Sequence, residues 1–171
     1  MITVWHGSSE IIDDKFDYSR INTGDGAKFG HGFYFAENRA GGEYMAKTMQ
    51  FRTVAGYLYE VSLDFDETEV LCLNKNFKSH PLAVQTVLND LFLTGLDDDT
   101  LESAYQAYRQ RIGDPETAMR SMLAAGIKLV RVYEQDRTAH GDTYVVFDAE
   151  IITIKHLWQY TDNSDGSILI K

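Results

Sequence analysis

The sequence predicts an α+β fold, on three observations. Runs with β-strand character occupy both ends of the chain, a block of helical periodicity lies between them, and the links between the last runs are too short for crossovers. Short links favour antiparallel neighbours. The 171 residues suit a single domain over 1–171, with the helical block as an insertion at about 79–125.

Each element has its own signal. Ile2 to His6 is a short apolar run, a buried strand that stops at Gly7-Ser8-Ser9. Residues 10–28 carry Asp13, Asp14, Asn22, Gly24, Asp25 and Gly26 and read as an irregular loop. Phe33 to Ala36 forms a second strand, and Glu37 or Asn38 caps a helix running through Tyr44 to Gln50. Tyr57, Tyr59, Val61 and Leu63 alternate with Leu58, Glu60 and Ser62, the period of a strand with one buried face. Val70 to Leu73 is a further short strand. In the helical block, Ser79 and Pro81 start a helix with Val84, Val87, Leu88 and Leu91 on one face. Asp99 precedes a second, carrying Leu101, Ala104, Tyr105, Tyr108 and Ile112. Asp114-Pro115 opens a third, with Met119, Met122 and Leu123, closed by Gly126. Three β-like runs follow, Ile127 to Tyr133, Tyr144 to Phe147 and Ile151 to Trp158, and then a polar turn and short tail.

Composition narrows the function classes. Hydrophobic residues make up 44% and charged residues 25%, as in an ordinary globular protein. No apolar run is long enough to span a membrane, so no membrane partner is expected. MITVWHGSSE lacks the basic and apolar regions of a signal peptide, which predicts a cytoplasmic protein and leaves signal-independent export as an effector open. The single cysteine, Cys72, rules out an intrachain disulfide and a cysteine-based zinc cluster. The formal net charge of −10 argues against broad binding to nucleic acid, which depends on neutralising phosphates. Arg109, Arg111, Arg120, Lys128, Arg131 and Arg137 fall in one region, but on helix and strand they need not share a face.

The chain has no P-loop, no GxGxxG before a helix and no GxSxG elbow. His6, His31, His80, His140 and His156 form no HxxxH or HExxH pair, so no metal site is expected. What remains is His6-Gly7-Ser8 at a strand end, and the stretch FGHGFYFAENRAGGEYMA from Phe29 to Ala46. Glycine lets a backbone come close to a ligand, two aromatic rings can hold a planar ring, and a histidine can bond hydroxyls. Together they suit a ligand with an aromatic carboxamide and a ribose. The same residues also read as a turn, a core strand and a helix start, with His140 and Asp142 in a solvated turn; the residues alone leave both readings open.

Trp5-His6-Gly7-Ser8, followed by Gly30-His31-Gly32-Phe33-Tyr34-Phe35-Ala36, resembles the NAD-binding signature of the ADP-ribosyltransferase superfamily. The likeness is to the histidine–tyrosine–glutamate branch, that of poly(ADP-ribose) polymerases and diphtheria toxin, and most of all to its small bacterial and phage-associated members. Tyr44-Met45-Ala46, Tyr57 to Val61 and Tyr144 to Asp148 resemble the later elements in order. The resemblance implies a split antiparallel β-sandwich with NAD in the cleft between two sheets. It implies that His6 bonds a ribose hydroxyl, that the Gly7 backbone pairs with the nicotinamide carboxamide, and that Ser8 or Ser9 supports the nearby turn. Tyr34 and Tyr44 would stack on nicotinamide, Gly32 would belong to the same cofactor site, and the 10–28 loop would cover the adenosine side. The implied activity is mono-ADP-ribosylation of a macromolecular acceptor, protein or single-stranded nucleic acid, by a toxin or effector that an antitoxin or immunity protein would restrain. An NAD glycohydrolase and a catalytically silent NAD- or partner-binding domain are the alternatives.

At one position the sequence departs from that pattern. The glutamate expected just before Tyr144-Val145-Val146-Phe147 falls at Thr143, which carries no charge to set against a cationic ribose. Asp142 is adjacent, but alternation would turn it away from the cleft. Glu150 lies further on, past the expected end of the strand.

Overall fold

The computed structural model describes residues 1–21, 28–52, 55–91, 100–135, 140–161 and 167–170. Asn22, Gly24, Asp25 and Gly26 of the polar loop, Asp99 and Arg137 lie outside the described residues. Eight strands form one mixed sheet: β1 Ile2–Ser8, β2 Phe33–Ala36, β3 Ala55–Leu63, β4 Val70–Cys72, β5 Leu129–Gln135, β6 His140–Val146, β7 Ile152–Thr161 and β8 Ser167–Leu169. The described helices are α1 Arg39–Arg52, α2 Leu82–Leu91, α3 Leu101–Ile112 and α4 Pro115–Ala124. None of these is long and apolar enough to cross a membrane.

The sheet order is β4-β5-β6-β2-β1-β3-β7-β8. Its pairing is antiparallel except for β4 and β5, which run parallel. The all-antiparallel expectation therefore needs correcting. The chain between β4 and β5 passes through α2, α3 and α4, a link long enough to bring the strand back in the same direction. The last connections do yield antiparallel neighbours, as at β5 and β6.

Two clusters lie on opposite sides of the β2-β6-β5-β4 half. On one face Val130, Val132 and Val145 pack with Leu88, Leu101, Tyr105, Met119 and Met122 of the three helices. The other face gives Phe33, Phe35, Leu129, Tyr144 and Val146 to a cluster shared with Val4, Tyr59, Val61, Leu63 and Leu157 of the β1-β3-β7 half. A third cluster, Ala46, Leu58 and Tyr160, lies where α1 packs on the outer face of that half. This is why β3 is buried on both faces, Leu58 as fully as Tyr59 and Val61, and not on one as its alternation suggested.

The helix ends follow local chemistry. The Asp114 side chain accepts the Thr117 amide at 2.7 Å, and Pro115 takes the first turn. Gly126, at φ +92°, leaves α4 through the left-handed region. Thr100 takes the N-cap position of α3. Several boundaries moved from expectation: β1 continues past His6 to Ser8, and β5 spans Leu129–Gln135 and not Ile127 to Tyr133. His140 and Asp142 lie within β6, because the strand extends to pair with Tyr133, Glu134 and Gln135. The chain end adds β8, antiparallel to β7.

Candidate functional site

The site begins where the sheet divides. β1 is paired with β3 along seven residues, but with β2 only at Trp5 and Ala36. Past that rung a side chain spans the gap: His6 Nδ1 donates to the Tyr34 carbonyl at 2.7 Å. A carbonyl only accepts, so Nδ1 carries the proton and Nε2 keeps its lone pair. The imidazole sits among Phe16, Phe35 and Tyr59, with ring centroids at 5.2, 5.5 and 6.2 Å. Burial in this aromatic setting lowers the His6 pKa, and the Tyr34 carbonyl opposes the shift only in part.

Phe16 arrives from the loop after β1, which is firmly tied. The Ile12 amide donates to the Tyr59 hydroxyl at 2.6 Å, and Arg20 pairs with Glu10 at 2.8 Å. Tyr18 donates to the Phe147 carbonyl at 2.8 Å and accepts from the Ala149 amide at 2.9 Å. Ser8 Oγ accepts the Glu10 amide at 3.1 Å and so braces the turn leaving β1.

The glycines are occupied by the protein itself. A Cβ on Gly7 would lie 2.4 Å from the Ala46 nitrogen and 2.7 Å from the Gly42 carbonyl, so Gly7 is where α1 settles against β1. A Cβ on Gly32 would lie 2.7 Å from Val145 Cγ1 and 2.9 Å from the Val146 carbonyl, which is contact with β6. Gly30, at φ +117°, lets the chain turn beneath the Tyr105 hydroxyl of α3.

The two tyrosines take different positions. The Tyr34 ring packs against the cluster under the helices. Its hydroxyl donates to the Gly30 carbonyl at 2.8 Å and accepts the Phe29 amide at 3.0 Å. Burial pushes its pKa up to about 12, with the nearby Glu134 charge adding to the rise. Tyr44 stands on α1, 48% exposed, and no ring contact joins it to Tyr34.

Register separates Asp142 from Thr143. Phe35 faces Tyr144 across the β2–β6 pair, and the Phe35 ring lies against His6. Asp142, two residues from Tyr144, therefore shares the face that carries His6. Thr143 takes the other face, with Tyr34, Val132 and Val145, so the two residues alternate as a strand requires. Asp142 Oδ2 lies 3.8 Å from Arg131 Nε, and the Asp142 amide donates to Glu37 at 2.9 Å. Burial raises the Asp142 pKa, with Arg131 acting against it.

Thr143 has a carboxylate for a neighbour. Its hydroxyl donates to Glu134 Oε2 at 2.8 Å, and Lys28 Nζ meets Glu134 Oε1 at 2.8 Å. Arg109 reaches the same loop, donating to the Lys28 carbonyl at 2.8 Å. Glu150 lies beyond the C-terminal end of β6, in a 3-10 turn beside a groove of about 520 Å³, with Lys15 at 4.0 Å. Three residues of strand, roughly 10 Å, separate Thr143 from that end of β6.

Phe16, Lys28 and Glu134 were not singled out by the sequence. Glu134 had a signal: alternation along Leu129–Gln135 puts it on the face of Val130 and Val132. Lys28 and Phe16 had none, because each reaches the site from an irregular loop. No protein-family model matches this chain, and no curated protein matches it in sequence.

Proposed function

We propose that the chain is an NAD-dependent mono-ADP-ribosyltransferase whose donor site lies at the division between β1 and β2. The observation that carries this reading is the His6–Tyr34 bond across that division, together with the ordered likeness of the two segments that make it. The bond fixes the tautomer that leaves Nε2 to accept a ribose hydroxyl. Past Trp5, the β2-facing edge of β1 has no ladder partner in β2, which leaves main chain near Gly7 for a carboxamide. In the same reading the two half-sheets are the leaves of a split sandwich around the cluster shared by Phe35 and Tyr59.

The chemistry breaks the bond between nicotinamide and ribose. Positive charge develops on the ribose, and fixed dipoles or a carboxylate stabilise it. Tyr34 and Tyr44 would contact the nicotinamide from β2 and α1. The acceptor is a protein or single-stranded nucleic acid, since a net charge of −10 opposes association with duplex DNA. A toxin or effector acting in the cytoplasm, held in check by an antitoxin or immunity protein, fits such an activity.

Calorimetric titration and thermal shift with NAD and with nicotinamide test the reading. Saturating NAD stabilises the fold, by about 2.7 kcal/mol at a hundredfold excess over Kd. His6→Ala weakens binding and abolishes nicotinamide release. Absence of stabilisation by both ligands, with Tyr34→Ala equally unresponsive, rules the site out. NAD binding without release under any acceptor condition leaves the domain a silent binder.

A further inference from the structure

We propose that Glu134, one strand away on β5, supplies the carboxylate that the resemblance places at Thr143, and that Thr143 positions it; the inference rests on the NAD reading above. The geometry is specific. A glutamate at 143 would hold its carboxylate oxygens roughly 2.4 Å beyond its γ carbon, from bonds of ~1.5 and ~1.2 Å. Glu134 Oε2 lies 2.8 Å from Thr143 Oγ1, which occupies the γ position. The carboxylate thus stands at nearly the same reach, approached from the next strand.

The register accounts for it. Val132 faces Thr143 and Glu134 faces Gly141, so Glu134 is the diagonal neighbour of Thr143 on the same sheet face. Tyr34 shares that face, and the Glu134 charge contributes to the raised Tyr34 pKa. Lys28 holds the other oxygen, and the Glu134 side chain is 24% exposed against 69% for Lys28. Each carboxylate oxygen retains a second lone pair, so one proton donor on each leaves capacity for a substrate hydroxyl. Of the other two candidate carboxylates, Asp142 lies on the face that carries His6, away from Tyr34, and is held 3.8 Å from Arg131, while Glu150 lies past the end of β6.

In the step itself the bond from the ribose C1′ to the nicotinamide nitrogen breaks, and its electron pair leaves with neutral nicotinamide. The acceptor's hydroxyl oxygen, or water, forms the new bond to C1′. Its proton passes through the Glu134 carboxylate to solvent. The Glu134 charge faces the cationic ribose while neither bond is complete.

The experiment measures nicotinamide release from NAD, with water, a cell-extract protein pool and single-stranded RNA offered as acceptors. Wild type is compared with Glu134→Gln, Thr143→Val and the double variant Glu134→Gln with Thr143→Glu. Thermal midpoints and NAD affinities are taken alongside. Glu134→Gln lowers kcat by roughly a hundredfold or more with little change in Kd for NAD. Thr143→Val lowers kcat less, as a positioning residue does. The double variant regains release, because the charge returns to the same place from the other strand. Wild-type release that Glu134→Gln leaves intact overturns this inference alone. So does an equal loss in Kd and turnover, which marks Glu134 as a binding group. A wild type that neither binds nor cleaves NAD removes the reading beneath it.

Discussion

His6 and His80 are histidines held neutral by their surroundings. His80 donates from Nδ1 to the Asn76 carbonyl at 2.9 Å and accepts the Cys72 amide on Nε2 at 3.1 Å, so both nitrogens are committed to a single tautomer. Burial lowers the pKa of each below the ordinary 6.5. The unfolded chain therefore takes up protons at these positions before the folded chain does. Their contribution to stability is present in full above pH 6.5 and is lost as pH falls through the folded values. Resolved imidazole resonances in an NMR titration check this: both rings titrate below 6.5, and a ring titrating at or above that value contradicts the assignment. On the proposed NAD reading, affinity for NAD falls over the same acid range, since a protonated Nε2 no longer accepts.

At the scale of elements, the α1–β1 contact shows how the chain uses small residues. Gly7 and Gly42 face one another's elements, and a Cβ on Gly42 would lie 2.6 Å from Trp5 Cβ. Arg39, in the first turn of α1, covers the neighbouring indoles, 5.2 Å from the Trp5 ring and 4.7 Å from that of Trp158. Gly7→Ala must push the helix off the strand, which costs about 1–3 kcal/mol by overpacking. Gly126→Ala meets no atom within 4 Å and carries only the strain of φ +92°, about 1–2 kcal/mol. Urea denaturation of the two variants separates the effects: Gly7→Ala also alters ligand binding at the β1–β2 division, and Gly126→Ala leaves it unchanged. Strands and helices with regular periods were legible in the sequence, as with Pro115–Ala124 and its Asp114 cap. The parallel β4–β5 pair was not, because a strand's direction depends on a partner about 60 residues away in sequence. Nor was the carboxylate beside Thr143, which depends on cross-strand register and not on any local motif.

For the whole molecule, the sequence gives order and composition but not the surface each element meets. The glycines near His6 read as room for a ligand, and the structure fills that room with α1, β6 and Tyr105. Phe16 looked like a residue in a polar loop, and it is 6% exposed against the His6 ring. The −10 charge and the absence of long apolar runs needed no structure to be read. The single β1–β2 rung has a consequence for how the molecule opens. Seven rungs bind β1 to β3 and nine bind β3 to β7, while seven bind β5 to β6. Between these blocks only Trp5 and Ala36 continue the ladder. Native-state hydrogen exchange should then resolve two cooperative units, one of β1, β3 and β7 and one of β2, β5 and β6. Amides within a unit would share one opening free energy, and the boundary would fall between Trp5 and Ala36. If NAD binds as proposed, it would lie across that boundary, slowing exchange on both sides and merging the two openings into one.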